Sequence, residues 1–208
     1  MLIENLEPRR LLAFTATLSN GNLQVKTSSA GDRVAVHEDS GSVHVFNTDA
    51  NEDPNGSQDQ FFSGVTSISF WGGTGNDTLD YKGNTIGAQI RGNVGADEIF
   101  VEDRGTGSSD VDGESDNDNI IVVHSHKTTV TGGSGNDTIQ VNTGYTVDPD
   151  EYPDYISAET LVIAGSGDDV IITQAGRTTI NGGAGEDIVV DAGGAATTNT
   201  YIKVETVQ

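Results

Sequence analysis

The sequence predicts an all-β fold in which short parallel strands stack into a solenoid. A glycine-rich unit recurs along the chain and is clearest at residues 129–141, TVTGGSGNDTIQV. Its turns begin at Gly72, Gly92, Gly113, Gly132, Ala164 and Gly182, in steps of 20, 21, 19, 32 and 18 residues. A unit this short cannot enclose a core of its own, so neighbouring copies must stack on one another. We therefore expect a parallel β-roll with coils of about 20 residues.

Apolar residues flank each turn at fixed positions. Because side chains alternate between the two faces of a strand, the aliphatic residue two places after each turn aspartate should point inward. The residue two places before each turn is apolar as well. The two rows are Leu79, Ile99, Ile120, Ile139, Ile171 and Val189, and Phe70, Ile90, Val111, Val130, Val162 and Ile180. Stacked about 4.8 Å apart, they would form the core.

The first elements of the chain are less regular. Residues 14–25, FTATLSNGNLQV, alternate apolar and polar around Asn20 and Gly21, which predicts a hairpin that caps the first coil. Residues 28–36 resemble a degenerate copy of the repeat, with Asp32 in the turn and Val34 and Val36 facing inward. Another alternating strand covers residues 42–46, a polar loop covers 47–60, and residues 61–71 lead into the regular stack.

This pattern divides the chain into three parts. Residues 1–13 form a separate N-terminal segment, residues 14–66 form the first strands and a degenerate first coil, and residues 67–208 form the solenoid. The long fourth step is explained by residues 142–158, which hold two prolines and four acidic residues. We interpret them as a loop that leaves the coil without interrupting the stack.

Composition excludes several classes of function. The net charge of −22 argues against nucleic acid and anionic membrane surfaces, both of which select Lys and Arg. The chain has no cysteine, so disulfides and thiolate chemistry are excluded, and no apolar run reaches transmembrane length. With 34% hydrophobic residues and 27 glycines, only a thin core is expected. Cations are the natural partner of such a chain.

The turn aspartates create an electrostatic problem that a cation would solve. Stacking places them in line, and carboxylates about 5 Å apart repel by roughly 1 kcal/mol in water and more at lower dielectric. We expect these carboxylates to be exposed, so that protonation offers no relief at neutral pH. Calcium takes six to eight oxygens in flexible geometry, including backbone carbonyls that glycine turns can present. Magnesium fits such a site less well because its geometry is stricter.

The turn sequences GGTGNDTLD, GGSGNDTIQ and GGAGEDIVV resemble the RTX, or hemolysin-type, calcium-binding nonapeptide GGxGxDxUx. This resemblance implies a right-handed parallel β-roll with calcium between successive turns. It implies carboxylate ligands at Asp77, Asp97, Asp118, Asp137, Asp169 and Asp187, with turn positions Gly73, Gly75, Gly133, Gly135, Gly165, Gly167, Gly183 and Gly185 completing the sites. The turns at Gly92 and Gly113 depart from the motif, so sites beside them should be weak. The opposite edge lacks the motif, so calcium should line one edge only.

Other side chains favour structural interpretations. His124 with His126, and His37 with His44, could pair on a metal, but outward polar strand positions are the simpler reading. Tyr145, Tyr152 and Tyr155 in the loop could form a partner surface or pack onto the coil. No isolated carboxylate pair or nucleophile constellation stands out from the ladder, and the few basic residues are scattered.

The two ends of the chain carry one prediction each. Residues 6–12, LEPRRLL, resemble the LEPR-XLL motif of large secreted or surface proteins of planctomycetes, which implies a targeting segment. Residues 201–208, YIKVETVQ, resemble the strand ISAETLVI at 156–163 that enters a turn, so the chain should stop where the next glycine-rich turn would begin. An uncovered coil end favours end-to-end stacking with a second copy, and a plain terminus is the alternative.

These features predict a secreted, calcium-stabilised structural solenoid at the cell surface or in the extracellular matrix, without enzymatic activity. Calcium ions are the expected cofactor and partner, and a homo-oligomer or filament is a further expectation. Neither nucleic-acid binding nor membrane insertion is expected. The alternatives are a polysaccharide-acting β-helix enzyme, which an aromatic and basic groove would favour, and a carrier module of a larger secreted protein.

Overall fold

The computed structural model describes residues 14–28, 31–48, 58–104, 106–124, 127–143, 159–174, 177–192, 199–204 and 206–207. These residues form two long sheets and contain no helix, and therefore no helix of the length and apolarity that a membrane span requires. The prediction of an all-β fold with stacked parallel strands is confirmed. The LEPR-XLL-like segment, His126 and the three loop tyrosines lie outside the described residues.

The first sheet has nine strands, in the order β1-β2-β6-β8-β10-β12-β14-β16-β18. They are β1 (Phe14–Ser19), β2 (Asn22–Thr27), β6 (Ser67–Trp71), β8 (Ala88–Val94), β10 (Asp110–Ser115), β12 (Thr128–Ser134), β14 (Glu159–Ser166), β16 (Arg177–Ala184) and β18 (Thr200–Ile202). Only β1 pairs antiparallel, with β2. The two strands meet at Asn20 and Gly21, so the predicted hairpin is present at one end of the sheet.

The second sheet has ten strands, in the order β19-β17-β15-β13-β11-β9-β7-β3-β4-β5. They are β3 (Arg33–Asp39), β4 (Ser42–Asn47), β5 (Gln60–Ser63), β7 (Thr78–Gly83), β9 (Glu98–Asp103), β11 (Asn119–His124), β13 (Thr138–Thr143), β15 (Val170–Gln174), β17 (Ile188–Asp191) and β19 (Thr206–Val207). Strands β3, β4 and β5 form an antiparallel meander. On the other side of β3, the neighbouring strands from β7 to β19 pair in parallel.

The predicted apolar rows are in register and buried. In the first sheet Phe70 pairs with Ile90, and the row continues through Val111 and Val130. In the second sheet the row from Leu79 to Val189 aligns in the same way. Every member of both rows has 0% exposure, and one hydrophobic cluster joins the two sheets. The core therefore lies between the sheets.

The 32-residue step does not interrupt the stack. Strand β13 pairs directly with β15, and Ile139 lies opposite Ile171. The predicted loop boundary is wrong by two residues, because Asn142 and Thr143 still belong to β13, where Asn142 pairs with Gln174.

The prediction for the C-terminal residues is also wrong. The described residues 201–204 and 206–207 do not form one strand that enters a turn, because β18 pairs in the first sheet and β19 pairs in the second. Lys203, with a φ of 49°, lies between them, and its carbonyl oxygen faces Gly182 where a glycine-rich turn would present its first carbonyl. A short non-glycine turn was not detectable from the repeat pattern.

Candidate metal site

Seven of the turns that join a strand of the first sheet to the next strand of the second sheet end in an aspartate. Because the flanking strands are in register, these aspartates stack in one line. Their exposed fractions are 6% or less, so the expectation of exposed carboxylates is wrong. The members of this aspartate ladder are Asp32, Asp77, Asp97, Asp118, Asp137, Asp169 and Asp187.

Backbone N–H groups hold one oxygen of each carboxylate. The N–H of Asp97 donates to Oδ1 of Asp118 at 2.8 Å, and the N–H of Asp118 donates to Oδ1 of Asp137 at 2.9 Å. The same bond recurs from Asp32 to Asp187, with distances between 2.6 and 3.1 Å. It also spans the long step, since the N–H of Asp137 donates to Asp169 at 2.8 Å. Each carboxylate is thus locked to the preceding coil.

In four of the ladder aspartates the second carboxylate oxygen, Oδ2, accepts no such hydrogen bond from the described residues. The Oδ2 atoms of Asp97, Asp118, Asp137 and Asp169 are buried, and within the described part of the chain they accept no hydrogen bond. Asp77 differs, because its Oδ2 accepts from the N–H of Gly73 at 2.7 Å and from Thr27 at 3.0 Å. A buried, unsatisfied carboxylate oxygen is unfavourable unless a cation or a proton satisfies it.

At Asp97, Asp118 and Asp137, a carbonyl oxygen from the next coil lies near the unsatisfied oxygen. A β-carbon placed on Gly92 would lie 2.5 Å from Oδ2 of Asp97 and 2.6 Å from the carbonyl oxygen of Gly113. At Gly113 the same point lies 2.2 Å from Asp118 Oδ2 and 2.5 Å from the carbonyl of Gly132. Glycine at the first turn position therefore keeps open a small oxygen-lined space between coils. The equivalent position in the coil of Asp169 is occupied by Ala164, which is fully buried.

Burial shifts the acidity of these carboxyl groups. It raises the pKa of Asp97 and Asp118 to about 7 and that of Asp137 and Asp169 to about 6. The N–H bond that each accepts opposes the rise, and the charge of Asp116 adds to it at Asp97 and Asp118. Without a cation, some of these four carboxyl groups are therefore protonated near neutral pH.

The donor set fits a hard cation. The ladder offers carboxylate and backbone carbonyl oxygens and contains no imidazole or thiolate, which suits calcium rather than a transition metal. Among the residues that the structure describes, no three His, Asp or Glu side chains converge as a metal cluster. Each cation would therefore depend on turn carbonyls to complete its shell, and the unsatisfied Oδ2 atoms would supply the charge.

The second and fourth glycines of the turns adopt the conformations expected of them. Their φ angles lie between 108° and 138° at Gly75, Gly95, Gly133, Gly135, Gly165, Gly167, Gly183 and Gly185. A β-carbon on Gly165 would lie 2.0 Å from the carbonyl oxygen of Gly133, and one on Gly183 would lie 1.9 Å from that of Gly165. These carbonyls point along the stack into the next turn. Gly73 contributes differently, because its N–H binds Asp77.

Sequence reasoning missed a second ladder at the fifth turn position. The side-chain oxygen of Asn117 accepts the N–H of Asn136 at 2.7 Å, and Asn136 accepts the N–H of Asp168 at 3.0 Å. Asp168 in turn accepts the N–H of Glu186 at 2.9 Å. These bonds run toward the following coil, opposite to the aspartate ladder. The recurrence of Asn and Asp before the ladder aspartate was the available signal.

The structure also extends the ladder at its start. The N–H of Asp32 donates to Asp77 Oδ1 at 2.6 Å, and the N–H of Thr78 donates to the carbonyl of Asp32 at 2.7 Å. The degenerate repeat at residues 28–36 thus stacks on the first regular turn, although Asp32 is absent from the predicted ligand set. Its Oδ2 accepts the N–H of Ser28, so it resembles Asp77 rather than the unsatisfied members.

Comparison with known proteins supports the repeat assignment for part of the chain. Residues 69–83, 128–144 and 161–190 match the family model of the RTX calcium-binding nonapeptide repeat, in four copies. The turns at Gly92 and Gly113 fall between the matched segments. Neither the curated proteins nor the solved structures gave a match to this chain.

Proposed function

We propose that this chain is a calcium-binding structural solenoid whose coils are held together by cations along the aspartate ladder. The calcium-binding repeats in the sequence support this reading. The observation that carries it is the row of buried Oδ2 atoms at Asp97, Asp118, Asp137 and Asp169, each without a hydrogen bond in the described residues. A calcium ion beside each would satisfy the oxygen and offset repulsion along the row.

The ligands in this proposal are the predicted ones. Asp77, Asp97, Asp118, Asp137, Asp169 and Asp187 supply carboxylate oxygens, and carbonyls of the glycine turns supply the rest. Calcium, when bound, provides positive charge and a flexible oxygen shell. The roll is right-handed with coils of about 20 residues. Asp77 already accepts two hydrogen bonds through Oδ2, so we rank its site below those of Asp118 and Asp137.

Cation-dependent folding suits a protein that leaves a calcium-poor compartment. Extracellular calcium modules bind with dissociation constants of about 10⁻⁴ to 10⁻³ M. A chain with such sites would be poorly folded inside the cell and would fold outside it. We therefore propose export, with residues 1–13 as the targeting segment, residues 14–66 as the first part and residues 67–208 as the solenoid, and a structural, non-catalytic role at the cell surface.

End-to-end assembly extends the same proposal. Strands β18 and β19 are the last strands of their sheets, and β1 and β5 lie at the opposite ends. An open strand edge can pair with another chain. Sedimentation velocity with millimolar calcium tests this part separately: concentration-dependent growth supports stacking, and a monomer at all concentrations contradicts it.

Calorimetric titration with calcium tests the metal sites, and two neighbouring residues supply the variant and its control. Asp169→Asn keeps the oxygen that accepts the Asp137 N–H but removes the buried charge, so it should lower both the calcium stoichiometry and the calcium-induced rise in Tm. The control is Asp168→Asn, which removes the same charge from the second ladder, at the fifth turn position. Asparagine already occupies the equivalent position at Asn136, so this variant should bind calcium like the parent. The site assignment is wrong if the parent binds no calcium or if the two variants behave alike.

A further inference from the structure

A stack of three aromatic rings lies on the outer face of the β3–β4–β5 meander. The rings of Phe46 and His44 are 4.4 Å apart at an interplanar angle of 26°, and those of His44 and Phe61 are 4.2 Å apart at 7°. The rings of His37 and Phe46 are nearly perpendicular, and their centroids are 4.9 Å apart. None of these rings belongs to a residue of the proposed metal sites.

Phe61 is presented to solvent rather than buried. Its exposed fraction is 69%, the highest of the large hydrophobic residues that are exposed in the described part of the chain. One face of its ring rests on His44, and Nε2 of His44 lies 3.3 Å from Oδ2 of Asp59. His44 therefore supports one face of the ring, and most of the Phe61 side chain is exposed. A rigid, exposed aromatic face loses little conformational entropy when a ligand stacks on it.

A cavity of about 300 Å³ adjoins this exposed ring. Its walls include Asp39, Ser42, Lys82 and His37 in addition to Phe61. The carboxylate of Glu38, which also lines it, is already occupied by the N–H groups of residues 84–86. The cavity thus combines one apolar face with a polar rim that carries charges of both signs.

The lining selects the chemical class of the ligand. A purely apolar molecule would leave the charged rim unsatisfied, and an anion would approach Glu38 and Asp39. The positive charge of Lys82 would repel a divalent cation, and the described residues contain no cluster of metal-ligating side chains. An uncharged molecule with an apolar face and hydroxyl groups around its edge could stack on the apolar face of the cavity and form hydrogen bonds with its polar rim. We propose that this cavity binds a neutral sugar ring, stacked on Phe61 and hydrogen-bonded by Ser42, Asp39 and Lys82.

The test uses the full chain in millimolar calcium and a set of neutral hexasaccharides with gluco, manno, galacto and xylo configurations. Hexagalacturonate is the anionic comparison. Saturation-transfer NMR should detect at least one neutral member, with the strongest transfer to its ring C–H protons. Titration calorimetry should show that Phe61→Ala weakens binding by about tenfold or more, whereas Phe61→Tyr, which keeps the aromatic face, binds like the parent.

Leu161→Ala is the matched control, because Leu161 is also an exposed apolar residue, at 37%, but lies on the other sheet. It should leave sugar binding unchanged. Circular dichroism of each variant establishes that the chain is folded, so failure of the calcium proposal is recognised separately. Three results overturn the sugar proposal: no neutral member binds, Phe61→Ala binds as tightly as the parent, or hexagalacturonate is preferred over every neutral sugar.

Discussion

The turns that match the nonapeptide repeat and the two turns between them form the same ladder bonds although their sequences and backbone angles differ. In the matching turns, glycine occupies the positions with large positive φ, such as 128° at Gly135. The turns at Gly92 and Gly113 instead place Asn93, Glu114 and Asp116 at φ values of 76°, 72° and 78°. Yet the ladder bonds of Asp97 and Asp118 are as short as those elsewhere. The in-register strands and the aspartate ladder define the site, and glycine removes strain from it.

The largest effect should appear in the pH dependence of the calcium-free chain, because four ladder carboxyls act together. Burial raises their pKa to about 6 or 7, whereas an unfolded aspartate titrates near pH 4. Between those values the folded chain binds more protons than the unfolded chain, so stability falls as pH rises from about 4 to about 7.

In EGTA the chain should therefore be more stable at pH 5, where urea unfolding should give a midpoint, than at pH 8, where the β-sheet spectrum should already be lost before urea is added. Saturating calcium should abolish or reverse that order, because calcium replaces the protons. A calcium-free chain that gains stability between pH 5 and pH 8 would contradict the burial of the ladder.

The next largest effect is expected at a matching turn. Gly135→Ala places a methyl group 2.1 Å from the carbonyl oxygen of Asp116 at a φ of 128°, which only glycine adopts easily. We expect a loss of at least about 2 kcal/mol in the free energy of unfolding, measured by urea denaturation in calcium. Ser134→Ala, in the same turn, is the control and should change little. Equal stability of both variants would show that the turn relaxes freely.

The opposite change is expected in a central turn. Glu114→Gly relieves a non-glycine residue at a φ of 72°, and the equivalent position in the next coil is Gly133. We expect a gain of about 1 kcal/mol by the same measurement. Glu114→Gln removes the charge but keeps the backbone strain, so it separates the two causes. A gain from Glu114→Gln alone would assign the effect to charge.

The smallest effect concerns the fifth-position ladder, which is interrupted at Ala96. The N–H of Ala96 donates to the side chain of Asn76 at 3.1 Å, but Ala96 has no side-chain oxygen to accept the N–H of Asn117 in the next coil. Ala96→Asn should add about 0.5 kcal/mol by restoring the acceptor. Ala96→Asp supplies the same oxygen with an added charge on an acidic edge and should gain less. If neither variant differs from the parent in urea unfolding, the ladder bond contributes nothing.

Repetition explains what the sequence predicted correctly. The inward rows, the stacking of the aspartates and the position of Asp32 follow from residues that recur in register, since each contact is repeated by the next coil. The hairpin follows from the local chemistry of Asn20 and Gly21.

Contacts that depend on backbone direction could not be predicted in this way. The burial of the carboxylates follows from N–H groups that point along the stack, which no spacing reveals. The turn at Lys203 and the stack of His44 on Phe61 occur once each, so periodicity carries no signal for them. The departures in the turns at Gly92 and Gly113 predicted weak sites, but the neighbouring coils impose the shared ladder bonds there.

Far-ultraviolet circular dichroism at neutral pH, recorded with calcium and then with excess EGTA, tests the central claim most directly. If cations hold the aspartate ladder together, chelation should abolish the β-sheet spectrum, and renewed calcium should restore it. Magnesium at the same concentration should restore less, because its smaller octahedral shell fits turn carbonyls poorly. An unchanged folded spectrum in EGTA at neutral pH would contradict the account.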